Sequence, residues 1–158
     1  MEFFKLIDSN GLEIGLCMLL ANWSAQIYKT ISYAIKKKVF NYSVLFSTGR
    51  MPSSHSSTVT AMATSVGIIS GWTSPLFAVS CCIAGIVMYD AAGVRQAASR
   101  QARVLNKLIK EFVNDEHKLK KVRLKQFLGH TPKEVIVGAL LGVAMGFGLH
   151  SLIRNFVG

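Results

Sequence analysis

The sequence predicts an all-α integral membrane protein. It reads as a single membrane domain over residues 1–158, a helical bundle of about four transmembrane helices with an amphipathic interfacial helix in a long basic loop. Three observations carry this. Just over half of the residues (51%) are hydrophobic and only 16% are charged, with a mean hydropathy of +0.38. The few charges are segregated: 34 consecutive residues from Ser56 to Tyr89, 19 from Val135 to Ile153 and 15 from Ile14 to Tyr28 contain no Lys, Arg, Asp or Glu. A bilayer span needs roughly 20 mostly apolar residues, and the longest run is broken by Gly71-Trp72-Thr73-Ser74-Pro75, a turn signal that divides it into two.

Composition also excludes several classes. Disorder requires low hydrophobicity. Three prolines and three cysteines exclude collagen-like and disulfide-scaffold chains. A net charge of +10 would suit a nucleic-acid-binding domain, but such a domain would not be this apolar, so no nucleic-acid partner is expected. Cys17, Cys81 and Cys82 fall inside apolar runs, where they behave as small hydrophobes. The first ten residues carry Glu2, Lys5 and Asp8 and lack the pattern of a cleaved signal peptide.

In chain order, the first span covers about residues 11–35 and ends at Lys36-Lys37-Lys38. A mixed segment, Val39 to Met51, reads as a loop at headgroup level. The second span covers 54–71 and the third 74–94, with Trp72 between them at interface depth. The basic loop, 95–130, follows with ten basic and three acidic residues. Its first half repeats Val94, Ala98, Leu105, Leu108, Ile109 and Phe112 at helical spacing, an amphipathic helix. Two readings fit that helix equally: a membrane-surface element, or one arm of a hairpin packed on its neighbour. The fourth span, 131–153, carries Gly138, Gly142 and Gly146 on one face, a pattern for close helix approach within the chain or across a dimer. No internal repeat is present.

Two spans separate the two basic loops, so both lie on one side. The positive-inside rule puts that side in the cytoplasm. Four alternating spans also bring four polar clusters to this same face. Arg50-Met51-Pro52-Ser53-Ser54-His55 opens the second span, and Tyr89-Asp90 with Arg95 closes the third. Gly129-His130-Thr131-Pro132-Lys133-Glu134 opens the fourth, and Lys29 sits in the last turns of the first. Polar groups inside a bundle are costly and mark function. His130 and Glu134, four apart, share a helix face, so the carboxylate can orient the imidazole for attack. His55 stands at a helix N-terminus, which favours an anion. Lys29 and Arg95, with Arg50 or Arg100, could hold that anion by charge-assisted hydrogen bonds. The anion implied is a phosphoryl group.

Plainer readings stand beside these. Thr131-Pro132-Lys133-Glu134 is also an ordinary helix start, with Thr as N-cap, Pro at N1 and Glu closing a capping box. Ser53 or Ser54 reads equally as an N-cap, Asp90 as a supporting partner for Arg95, and His117 and His150 as structural. His130, Glu134 and His55 could also ligate zinc, although the surrounding positive charge disfavours a cation.

These motifs resemble a known family. Met51-Pro52-Ser53-Ser54-His55 resembles the P-S-G-H element of the type 2 phosphatidic acid phosphatase superfamily, which includes vanadium-dependent haloperoxidases, and His130-x-x-x-Glu134 resembles its closing H-x-x-x-D. The closer resemblance is to the superfamily's divergent bacterial branch. That branch's four motifs stand here, in order, as Ala25-Gln26-Ile27-Tyr28-Lys29, Gly49 to His55, Met88 to Arg95, and Leu128 to Val135.

The resemblance implies a membrane-embedded phosphatase acting on a lipid-linked phosphate or pyrophosphate. It implies His130 as nucleophile, Glu134 as its orienting carboxylate and His55 as general acid. Lys29, Arg95 and backbone N–H groups near Ser54 would hold phosphate, with no metal and no cofactor. The chain departs from these patterns in four ways. Ser99-Arg100 stands thirty residues before His130 rather than five, the wider first motif K-x6-R-P is not clean around Lys29, Arg50 replaces the second glycine of the branch's G-G-M-P, and Glu134 replaces Asp. The expected partners are the bilayer and a lipid phosphate. Four spans rather than six suggest a homodimer, and the resemblance places the chain in a bacterial cytoplasmic membrane. The alternative function is non-catalytic lipid-phosphate binding or translocation.

Overall fold

Four of the long helices begin where a side-chain oxygen meets an otherwise unpaired backbone N–H, the general requirement of helix N-termini. The computed structural model describes residues 2–39, 42, 51–113 and 131–157, all helical or in connecting turns, with no strand among them. Six helices result: α1 (Glu2–Ile7), α2 (Gly11–Lys37), α3 (Ser54–Ser70), α4 (Pro75–Ala92), α5 (Val94–Val113) and α6 (Pro132–Val157). Asn10 caps α2 through the N–H of Leu12 (2.8 Å). Ser53 caps α3 through Ser56 (3.3 Å), and Ser74 caps α4 through Phe77 (3.1 Å). At α6 the capping box is complete: Thr131 N–H donates to Glu134 Oε2 (3.0 Å) and Glu134 N–H to Thr131 Oγ1 (3.4 Å).

The bundle is packed inside out relative to a water-soluble protein. Helix α3 lies at its centre against α2, α4 and α6, and carries Ser54, Ser56, Ser57, Thr60, Thr64 and Ser65 into the interior. Large apolar residues such as Leu19, Ile27, Ile86, Leu140 and Phe147 point outward. Water would penalise so much exposed apolar surface. Lipid chains do not, and inside lipid small side chains let helix backbones approach closely.

The glycine stripe of α6 serves this approach within the chain. A Cβ on Gly138 would run into the carbonyl oxygen of Ser53, one on Gly142 into Thr60 and Ser57, and one on Gly146 into Thr64. Thr60 Oγ1 bridges the contact by donating to the Ala139 carbonyl (3.0 Å). That face is therefore covered by α3 and is not available for a dimer.

Among the described residues, two helical stretches, Pro75–Ile109 and Pro132–Val157, each contain a part long and apolar enough to cross a membrane. Helix α3, at 17 residues, is shorter than a typical span, and α2 carries Glu13, Lys29, Lys36 and Lys37. Packing explains both features: α3 is wrapped by its neighbours, and two of the α2 charges are turned into the bundle.

One of these is Glu13, only 1% exposed. Its Oε1 lies 2.8 Å from His150 Nδ1 of α6, and its Oε2 accepts from the backbone N–H of Ser9 (2.7 Å). The same end is sealed by α1. Phe4 stacks on Phe156 at 4.6 Å, and Ile7 joins Cys17, Leu149 and Ile153 in a small apolar cluster. His150, expected to be structural, has this role: it ties the α1–α2 turn to α6.

Candidate functional site

The other buried charge of α2 marks the opposite end of the bundle. Lys29 is 16 residues after Glu13, about 24 Å along the helix at 1.5 Å per residue, and its side chain is 2% exposed. The ammonium donates to Gln26 Oε1 (3.2 Å), one helical turn earlier, and to Ser54 Oγ (3.3 Å) in the first turn of α3. Both acceptors are neutral. Among the described residues no carboxylate comes within ion-pair distance of Lys29, although it feels the charge of Glu134.

The starts of α3 and α6 are joined directly. The backbone N–H of Ser53 donates to the carbonyl of Glu134 (3.0 Å), a contact made possible by the absence of a side chain at Gly138. Lys29, Ser54 and the first turn of α6 thus form one cluster from three helices. Lys29 and Ser54 are both buried. Helix α2 continues eight residues beyond Lys29 to Lys37, about 12 Å, so its last two turns rise beside the site and end in the Lys36–Lys38 group.

His55 lies in the first turn of α3 with its side chain exposed. Helices α3 and α4 are packed together and connected by the Gly71–Ser74 turn. Their reversal of direction brings Asp90, in the last turn of α4, back to the level of the α3 start. Arg100 stands apart: α5 packs only on α4 among the described helices, and the Arg100 guanidinium donates to Gln96 Oε1 of its own helix (2.6 Å). Arg95 is the second residue of α5. His130 and Arg50, like His117, lie outside the described residues, as do 40–41 and 43–50 of the segment expected as a headgroup loop and 114–130 of the basic loop.

The structure therefore brings together Lys29, Ser54 and Glu134 of the expected set, with His55 adjacent in sequence to Ser54. It gives Glu134 a definite task, since Oε2 closes the α6 capping box. Two contributors escaped the sequence reading. Gln26 holds Lys29, and the signal was present in its i, i+3 spacing. Ser53 joins α3 to α6 through its backbone, which no side-chain pattern reveals. Among the described residues no three His, Cys, Asp or Glu side chains gather as a metal-binding set.

An inside-out helical bundle, apolar where it meets its surroundings and holding a buried ammonium hydrogen-bonded to neutral partners, defines a helical membrane protein with a polar cluster at one end. The chain belongs to the Divergent PAP2 family, whose model matches residues 13–145. It is also 42% identical over 140 residues to "Uncharacterized membrane protein YuiD" of Bacillus subtilis (strain 168), an alignment that covers 82% of this chain and 89% of that protein. No solved structure matches it.

Proposed function

We propose that this protein is a four-span membrane phosphatase that hydrolyses a lipid-linked phosphate or pyrophosphate through a phosphohistidine. The observation that carries the reading is Lys29: a buried ammonium on two neutral oxygens. Burying a charge without a counter-charge in contact is costly, and a phosphoryl oxygen bound there would supply one. Family membership supports the same chemistry.

In this mechanism a nitrogen of His130 attacks phosphorus, and the P–O bond to the lipid, or to its terminal phosphate, breaks. His55 gives its proton to the departing oxygen. Water then attacks the phosphohistidine, its proton passes to His55, and orthophosphate leaves. Lys29 and Ser54 hold the phosphoryl oxygens, with Arg95 as second cation and Arg50 as a further phosphate contact. Glu134 caps α6 with Oε2, and its Oε1 orients His130. The site faces the cytoplasm from the cell membrane, on the side carrying Lys36–Lys38 and the basic loop.

The decisive experiment is a panel of lipid phosphates and polyprenyl pyrophosphates assayed with purified parent protein and His130→Ala, with and without vanadate. Turnover by the parent, inhibited by vanadate and lost in the variant, is expected. Equal turnover by both proteins would overturn the mechanism.

A second reading, lipid-phosphate binding or translocation without hydrolysis, is favoured by one observation: the Glu134 carboxylate is already engaged at Thr131. In that case the same panel would show headgroup binding without orthophosphate release.

A further inference from the structure

Helix α5 starts two residues after α4 ends, past Gly93, and so leaves the bundle at the end that holds Lys29 and Ser54. At 100° per residue, Val94, Leu105 and Leu108 fall within about 60° of one another around its axis. Arg100, Arg103 and Lys107 fall within a second arc of about 60° on the far side. Both sets are exposed. Helix α5 touches only α4 among the described helices, and Ser99, on the flank between the two arcs, is its buried residue. The apolar arc is therefore not packed against any of the described helices other than α4.

We infer that α5 lies on an anionic lipid surface, with Val94, Leu105 and Leu108 among the acyl chains and Arg100, Arg103 and Lys107 at the headgroup phosphates. Three features of the molecule select lipid as the occupant. The apolar arc is continuous with lipid-facing α4: Ile83 and Ile86 are exposed on α4, and Val94 opens α5. The opposite arc is cationic, complementary to phosphate headgroups. The helix also leaves the bundle at the end marked by Lys36–Lys38, where headgroups would lie. Such a helix gathers anionic lipids at the end of the bundle that holds Lys29. The inference concerns the lie of α5 and does not depend on turnover.

The test uses the full-length protein in which Cys17→Ala, Cys81→Ala and Cys82→Ala remove the native thiols, one copy per lipid nanodisc. Spin labels are placed at Leu105→Cys, Leu108→Cys and Arg103→Cys. In discs containing phosphatidylglycerol, the labels at 105 and 108 are expected to be relaxed by oxygen more than by a water-soluble nickel chelate, and the label at 103 the reverse. Spin-labelled phosphatidylglycerol should associate with the protein in preference to phosphatidylcholine. Arg100→Gln, Arg103→Gln and Lys107→Gln together should lower that preference roughly fivefold, the attraction of about one cation for each singly charged lipid. Nickel access that is equal on both arcs would overturn the inference, since it means that α5 stands in water. So would shielding at 105 and 108 from both reagents, since protein then covers the arc, or an unchanged lipid preference in the triple variant.

Discussion

The two ends of the bundle handle the same physical problem in opposite ways. Each holds one buried charge of α2, Glu13 at one end and Lys29 at the other. At the Glu13 end both carboxylate oxygens are engaged, one by His150 across 137 residues of sequence and one by a backbone N–H. The α1 helix then closes over the α6 terminus. At the Lys29 end the described partners are an amide oxygen and a hydroxyl, and α2 runs on to Lys37. One end is satisfied by a charged partner from within the chain; at the other, the described hydrogen-bond partners are neutral. Burial of an ionisable group is therefore a weak sign of function until its partners are known.

The largest expected effect sharpens that contrast. Lys29→Ala should reduce lipid-phosphate turnover about 10²–10³-fold, the usual loss when one donor to a developing anion is removed, while thermal stability in detergent stays close to the parent. Glu13→Ala should do the reverse and leave turnover nearly unchanged. A large activity loss from Glu13→Ala would break the comparison and make both ends functional.

Next in size is Glu134→Gln. Glutamine also closes a capping box, so the variant should fold with an unchanged melting temperature. Losing the charge that orients His130 should slow turnover roughly a hundredfold. An unaltered rate would reduce Glu134 to a cap.

Stability effects come third. Glu13→Ala leaves the Ser9 N–H and the His150 ring without their partner and should cost about 1–3 kcal/mol in a reversible unfolding assay. Gly142→Ala should cost a similar 1–3 kcal/mol, because its Cβ collides with Thr60 and Ser57 and forces α6 away from α3. The smallest effect is Thr131→Ala, about 1 kcal/mol for a lost N-cap.

Much of the architecture was legible in the sequence because it depends on local signals. The uncharged runs marked α3, α4 and α6, and Gly71 to Pro75 marked the turn between two of them. The alternatives for Glu134 were visible too, since Thr131-Pro132-x-Glu134 spells a capping box in four residues, and the structure shows that box formed. For the glycines of α6, the stripe showed that something must approach closely, while only packing revealed that it is α3.

The site was legible as a set of residue types and not as contacts. Lys29 and Ser54 are separated by 25 residues, and nothing local dictates that they meet. The same holds for Glu13 and His150, whose partnership depends on where α6 returns beside α2. By itself the sequence determined the helices, their caps and their apolar character, because hydrogen bonding within a helix and transfer of side chains to lipid act over a few residues at a time. The tertiary structure alone decided which buried charge was neutralised and which was left on neutral partners, because charge compensation depends on distances between helices far apart in the chain.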